Sequence, residues 1–330
     1  MRNFTGLVYN ELLKLVRKRR MLVIFLILLV LIPVFTYAQY RTYKTTTEQM
    51  GTSDWRALLQ QQIVDTQNRL ASNRVPEEWK EFMRLRIQVQ QYYLDHDINP
   101  SAPGAPTFVR KFIEESISLF LPLLVVVVAS DIVSSEYGQG TIKLLLARPV
   151  RRWKILLSKY VALLLVISLI LLLTGILAYL ISGTVFGYGG WGMPVLTGFQ
   201  MKGEHVITDF VHLVPQWKYI LMALGLAWFT CTAVATLSFM VSVLVRSTAA
   251  SMGIMLAALI AGSLLVQLAP SWTSLKYLAF TNLKLTDYLS GAPILIEGMS
   301  LPFSLSVLSL WSAAGLIIAF TVFVRRDVLA

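Results

Sequence analysis

The sequence predicts an all-α, polytopic membrane protein, and three observations carry that prediction. Hydrophobic residues fill 56% of its 330 positions and charged residues only 14%, whereas a soluble domain carries about 25% charged residues. Several windows approach the roughly 20 apolar residues that a helix needs to cross a bilayer. Many of the basic residues stand in short segments flanking those windows, which is how membrane helices acquire their orientation. The mean hydropathy of +0.64 agrees with this class.

The chain opens on an amphipathic stretch. Phe4, Leu7, Val8, Leu12, Leu15 and Val16 fall largely on one helical face, with Asn10, Glu11, Lys14 and Arg17 mostly elsewhere. Such a helix suits the headgroup layer, although the same residues also suit an extension of the helix that follows. The basic run Arg17 to Arg20 precedes a first span at about 21–38. That span is long for a secretory h-region and twenty residues precede it, so an uncleaved helix is expected despite the small-x-small step Thr36-Tyr37-Ala38. Residues 1–38 thus form an interfacial helix and the first span.

Residues 39–111 are polar and can form an extramembrane insertion. Trp55, Leu58, Leu59, Gln62, Ile63, Thr66 and Leu70 recur at helical spacing, as do Trp79, Phe82, Met83, Arg86, Ile87 and Val89 to Tyr93. Between them, Ser72 to Pro76 ends on a proline suited to a helix start. The expected unit is an antiparallel helical hairpin, followed by an irregular Pro-rich linker over 99–106.

Residues 112–330 supply five more spans, at about 113–133, 156–182, 219–245, 249–268 and 303–324. The N-terminal basic run, the connection after span two, Arg246 and Arg325-Arg326 share one side if both termini are cytoplasmic. The hairpin between spans one and two is then extracellular, and the bacterial cytoplasmic membrane is the expected location. Two further outer loops follow. One, at 183–215, is rich in glycine and aromatics; the other, at about 269–302, has room for a short re-entrant helix.

Catalytic groups are scarce, and no enzymatic activity is expected of this chain. Its three histidines, His96, His205 and His212, stand outside the spans and form no HExxH pattern, although the last two would share a face if helical. Glu114-Glu115 opens span two, where a helix-end carboxylate pair is the expected role. Cys231 is the single cysteine, so neither an intrachain disulfide nor a cysteine-rich metal site is possible. No GK[ST] phosphate loop is present, and no cofactor is expected. The formal charge of +11 reflects topology and contact with lipid headgroups rather than nucleic acid, which needs basic residues gathered on a soluble face. The spans are nearly free of charge, with Asp131 close to the cytoplasmic end, so no coupling-ion site is visible.

The connection after span two carries the most information. Glu136-Tyr137-Gly138-Gln139-Gly140 interrupts the span, Thr141 can cap a helix over 142–147, and Arg148-Pro149 stops it. A short helix held by bends at both ends moves as a rigid lever; an ordinary amphipathic loop helix made basic by topology fits these residues equally well.

The pattern Asp131, Glu136, Gly140-Thr141, Leu144 to Leu146, Pro149, Arg151 and Lys159 resembles the signature of ABC-2 type transporter permeases, in which E, G-T, a leucine stretch, P-x-R and a later K recur. The six-span layout, the basic N-terminal helix and the closing Phe323-Val324-Arg325-Arg326-Asp327 are similar as well. The large outer insertion resembles branches such as the bacitracin, lantibiotic and sodium export permeases of Gram-positive bacteria. It departs from the compact polysaccharide-exporting branch. The tight motif covers about thirty residues.

The resemblance implies a permease subunit of an ATP-driven exporter that pairs with a second permease, identical or related. Separate ATP-binding-cassette ATPase subunits would hold the ATP and Mg. It further implies a coupling helix at 138–152. There Gly140 permits the bend, Thr141 caps, Leu144 and Leu145 pack into an ATPase groove, Pro149 ends the helix, and Arg148, Arg151 and Arg152 meet an acidic rim. Glu136 and Lys159 would orient this lever. The cargo would be hydrophobic or amphipathic: a peptide antibiotic, as in antimicrobial peptide resistance, a lipid or a drug. A membrane sensor or scaffold, whose outer hairpin binds a ligand and signals through the same element without transport, is the alternative reading.

Overall fold

Apolar length decides the architecture. A computed structural model describes residues 4–52, 54–72, 75–142, 149–202, 205–294 and 296–326. Its helices, in order, are α1 (Phe4–Arg17), α2 (Arg19–Met50), α3 (Trp55–Leu70), α4 (Glu77–Asp95), α5 (Ala105–Ser116), α6 (Phe120–Ala129) and α7 (Ser134–Gly138). They are followed by α8 (Arg152–Phe186), α9 (Gln216–Leu244), α10 (Thr248–Leu268), the single turn α11 (Asp287–Ser290) and α12 (Leu301–Arg325). Six segments are long and apolar enough to cross a membrane: α2, the α6–α7 unit over Phe120–Gly138, α8, α9, α10 and α12. The protein is an all-α, multi-pass membrane protein.

Both ends of this bundle are defined by contacts. At one end lie α1, the start of α8 and the end of α12, where the Arg152 guanidinium donates to the Val324 and Arg326 carbonyls at 3.2 and 2.9 Å. We call this the basic face. At the other, α2 and α8 run to 32 and 35 residues, about 48 and 52 Å at 1.5 Å per residue, well beyond a hydrocarbon layer of about 30 Å. The excess of α2 is polar, so it rises above the far face of the bundle. Within the bundle α2 buries the stripe Ile24, Leu28 and Ile32, spaced by four, while Leu22, Val23, Leu26, Leu29 and Val30 face outward. An apolar outer surface of that extent suits lipid.

Span two departs from expectation. Its apolar helix starts at Phe120 rather than near 113, because α5 is a separate amphipathic helix that packs on α8 and α9. The charged residues Arg110, Lys111, Glu114 and Glu115 therefore lie outside the spans. Glu114 accepts a hydrogen bond from the Tyr219 hydroxyl at 2.6 Å, which accounts for one member of the carboxylate pair.

On the far face, α3 and α4 form the expected hairpin, with the Asp54 side chain capping α3 and Pro76 preceding α4. The 183–215 loop holds short strands that sequence patterning did not suggest. β1 (Pro194–Thr197) pairs antiparallel with β4 (His212–Pro215), and between them in the chain β2 (Gln200–Lys202) pairs with β3 (His205–Ile207), as two nested two-stranded sheets, together called the ribbon. His205 and His212 therefore sit on separate strands, not on one helix. Leu59, Val89 and Tyr93 of the hairpin pack with Ile98, Leu196 and Phe199 in a second, smaller core. The Gln88 side chain ties α4 to the ribbon by accepting from the Val206 amide at 2.9 Å. The 269–300 segment contains two 3-10 turns (Thr273–Tyr277, Ala279–Thr281) and α11, with no longer helix among its described residues. It presses on α10 at Gly262, where a Cβ would stand 2.4 Å from that of Phe280, so no larger residue fits.

Candidate functional site: a buried charge network under the basic face

Position 159 lies two turns into α8, and a lysine there has nowhere to reach water. Lys159 is fully buried. Its ammonium donates to Glu11 Oε2 at 2.8 Å, Glu136 Oε1 at 2.7 Å and the Ile132 carbonyl at 3.4 Å, which uses all three of its protons. Lys14 bridges the same two carboxylates from the rim, at 2.8 Å to Glu11 and 3.4 Å to Glu136. Three elements, α1, α7 and α8, thus meet at one ammonium group.

Glu11 occupies a place that the sequence reading did not foresee. It was expected on the polar side of α1, yet it is buried with Leu7, Val8 and Leu15, while Phe4 and Val16 are exposed. The spacing 7, 11, 15 puts Glu11 in the middle of the apolar ladder, and that was the available signal. Burial would by itself push the Glu11 carboxyl up, but the charge of Lys159 and the hydrogen bonds from Lys14 and Lys159 outweigh it and hold it below 4.5. Burial likewise works against the charge on Lys14, and is outweighed by Glu11 and Glu136, which hold the ammonium above 10.5. So α1 is locked to the bundle by charge, not merely laid on a surface.

A second cluster adjoins the first. Asp131, with a side chain 3% exposed, pairs with Lys18 at 2.6 Å and Arg20 at 3.0 Å. It also accepts from the Thr248 hydroxyl of α10 at 3.3 Å. Asp131 can face these partners because span two is broken beside it. Between α6 and α7 the Ser242 hydroxyl of α9 inserts into the backbone. It donates to the Ser130 carbonyl at 2.9 Å and accepts from the amides of Val133 and Ser134 at 3.2 and 3.0 Å. A side chain wedged into the helical ladder is a physical cause of a kink, and here it satisfies the groups the break exposes. Ser130 and Ser238 pair at 2.8 Å next to it. The four-residue spacing of Ser130 with Ser134, and of Ser238 with Ser242, was the trace left in the sequence.

The predicted site residues divide accordingly. Glu136 and Lys159 come together in the network. Gly140, one turn beyond Glu136, is exposed with φ +70° and no atom within 4 Å of a would-be Cβ; this left-handed turn favours glycine. The exposed Thr141 donates to the Glu136 carbonyl at 3.4 Å. Residues 143–148, with Leu144, Leu145 and Arg148, lie outside the described residues. Pro149 and Arg151 are exposed. Arg152 is not free for a partner's acidic rim, because its guanidinium caps the carbonyl end of α12. Among the described residues of this connection, 138–141, 149, 151, Trp153 and Lys154 are exposed, and we call them the exposed strip. No cluster of three or more His, Cys, Asp or Glu suited to a metal occurs among the described residues.

Comparison with known proteins places the chain in a family. A family model described as a protein of unknown function, DUF2705, matches residues 82–329. The chain belongs to the DUF2705 family. It is 30% identical over 279 residues to the uncharacterized protein YhcI of Bacillus subtilis (strain 168), covering 84% of this chain and 85% of that one. It is also 29% identical over 217 residues to the uncharacterized membrane protein YdbK of the same organism, covering 64% and 80%. The residues matched by the family model include Glu136, Gly140 and Lys159 but not α1.

Removing one member of a buried ion set costs more than removing all of it, since a lone charge is left without a partner. Lys159→Met should destabilise the purified protein by about 3–5 kcal/mol in denaturant titration. The triple change Lys159→Met, Glu11→Gln, Glu136→Gln should recover much of that loss. Equal losses would mean that packing, not charge, holds α1. The carboxyl of Glu11 sits below 4.5 when folded, so its contribution is present above that value and disappears as pH falls through the folded value. The raised Lys14 contributes below 10.5 and fades as pH rises through its folded value. Amide exchange protection of α1 should accordingly be flat across neutral pH and collapse on acidification below 4.5. Protection persisting to about pH 2 would exclude a role for Glu11 in the docking.

Proposed function

We propose that this protein is the permease subunit of an ATP-driven exporter, with the basic face cytoplasmic and an ATP-binding-cassette ATPase seated on the exposed strip around Gly140. The observation that carries the reading is the direct link between that strip and the buried network. Glu136 stands one helical turn from Gly140 and is bound to Lys159 of α8 and, through it, to Glu11 of α1. A push on the turn is delivered to three elements at once through Glu136 and Lys159. The resemblance of residues 131–159 to ABC-2 permeases supports the same reading. So does the outward apolar surface, which suits a chain that handles hydrophobic or amphipathic cargo beside a second permease subunit.

In this mechanism the chain supplies no chemistry of its own. ATP and Mg are held by the partner, and closure of the ATPase pair displaces the 138–152 segment. Stiffness follows from the cost of separating buried charges: tilting α7 away from α8 would strand Lys159 in a low-dielectric interior. The elements therefore move together, and the displacement reaches the far face along α8.

Side-chain chemistry at position 140 provides the test. Asparagine tolerates a left-handed turn and a β-branched residue does not. ATP hydrolysis co-purifying with the chain from its native membrane should survive Gly140→Asn and fall by at least about tenfold with Gly140→Val, both variants inserting normally. Hydrolysis unchanged in Gly140→Val, or solute translocation by the chain alone in liposomes, would overturn the reading. Orientation is checked with the buried Cys231 as a silent background. An impermeant maleimide should label Gln61→Cys in intact cells and leave Gln139→Cys unlabelled.

A further inference from the structure

A cavity of about 390 Å³ lies on the far face, between the rising end of α2, the hairpin helix α3, the 99–104 linker and α5. Its position is held by several independent contacts. The Ala105 amide donates to the Gly187 carbonyl at 2.8 Å, pinning the linker to the end of α8. Phe186 closes the base, stacked on Phe108 with ring centroids 6.4 Å apart and tilted against Tyr40 at the same distance. The cavity is thus built by four separate chain segments and is not a crease in one of them.

Its lining has a consistent chemistry. Leu58, Leu59, Phe108 and Phe186 make an apolar wall, and Trp55 and Tyr43 add aromatic surface. Lys111 is the one charged residue among the lining residues. Its ammonium bonds the Ser101 hydroxyl at 2.9 Å, and no carboxylate among the described residues lies within ion-pair distance of it. Burial and the neighbouring Arg110 disfavour its charge, against a smaller pull from Glu114 and Glu115, so the ammonium is held below 10.5. Among the other polar groups of the lining, the Thr42, Thr46 and Thr107 hydroxyls donate to the Ala38 carbonyl, the Thr42 carbonyl and Gln216 Oε1. The Tyr43 hydroxyl and the Trp55 indole N–H make no hydrogen bond to the described residues. Two of the amide acceptors are already engaged: Gln62 Oε1 by Gln90, and Asn99 Oδ1 by the Ser101 amide.

An apolar wall facing a single unpaired cation and spare donors matches one kind of molecule. We propose that this cavity binds a single-chain anionic amphiphile, with its carboxylate or phosphate head at Lys111 and its chain along Leu58, Phe108 and Phe186. The volume stands near the lower end of the roughly 300–1,000 Å³ range of small-molecule sites, which suits one chain rather than two. Because α2 and α5 carry the cavity at the far ends of the spans, a ligand partitioned in the bilayer reaches it sideways. The site is independent of the exporter reading; with it, the site places an amphiphile receptor opposite the ATPase face.

The experiment titrates the full chain in phosphatidylcholine nanodiscs with dodecyl phosphate, by calorimetry against empty discs. Saturable one-site binding is expected, weakened about tenfold by Lys111→Gln through loss of a charge-assisted hydrogen bond and restored by Lys111→Arg. Leu58→Trp, which fills the cavity and leaves every charge in place, should weaken binding as well. Dodecyltrimethylammonium should not bind. Equal binding of the cationic analogue, or wild-type affinity in both Lys111→Gln and Leu58→Trp, would overturn the proposal. Full competition by phosphatidylglycerol built into the disc would overturn the single-chain assignment and give the site to a bilayer lipid. Amide exchange protection of α3 equal to wild type excludes misfolding of the variants. No ATPase is present in this assay, so its failure and that of the exporter reading are separate events.

Discussion

An ammonium group that cannot reach water must be surrounded by acceptors, and the basic half of this protein is arranged around that requirement. Lys159 enters the bundle on an apolar helix, where an unpaired charge would cost several kcal/mol. Two carboxylates from different parts of the chain answer it. One comes from the amphipathic N-terminal helix and the other from the end of span two. Meeting that demand draws α1 onto α8 and holds α7 in place. The exposed turn at Gly140 thereby becomes an extension of the bundle's interior and not a tether.

The break in span two follows from the same logic at the level of the backbone. A continuous helix from 120 to 138 would leave Asp131 without its present geometry. The Ser242 hydroxyl replaces the helical bonds lost at Ser130, Val133 and Ser134, which lets the chain bend without unsatisfied backbone groups in an apolar region. Asp131 then meets Lys18, Arg20 and Thr248, so basic residues of the 17–20 run serve structure as well as topology. On the proposed reading, a permease that is pushed from one face needs this stiffness. The far face, built from the hairpin and the β-ribbon, has a small core of its own and is joined to the bundle by the long helices and by Val195 and Val214 of the ribbon, which pack in the main core.

Much of this was legible in advance, and the reason is the bilayer. Four of the later span boundaries agree within a few residues with α8, α9, α10 and α12, because apolar length is a local property that tertiary contacts do not override. The hairpin, too, follows from its 3.6-residue periodicity and from Pro76. Span two was misplaced at its outer end because Ile113, Ile117 and Leu119 extend the apolar run into α5, whose charges belong to a different layer. The ribbon at 194–215 was invisible because its strands are three or four residues long, too short for alternation to register.

The sequence by itself determined that this chain has six spans of membrane-crossing length and that many of its basic residues flank them. Only the tertiary structure decided which charges meet. Glu11 and Lys159 are 148 positions apart, and nothing local distinguishes a glutamate that faces water from one that faces a buried lysine. The reason is physical: apolar burial is roughly additive along the chain, whereas an ion pair exists only where two distant helices bring opposite charges within about 4 Å of each other.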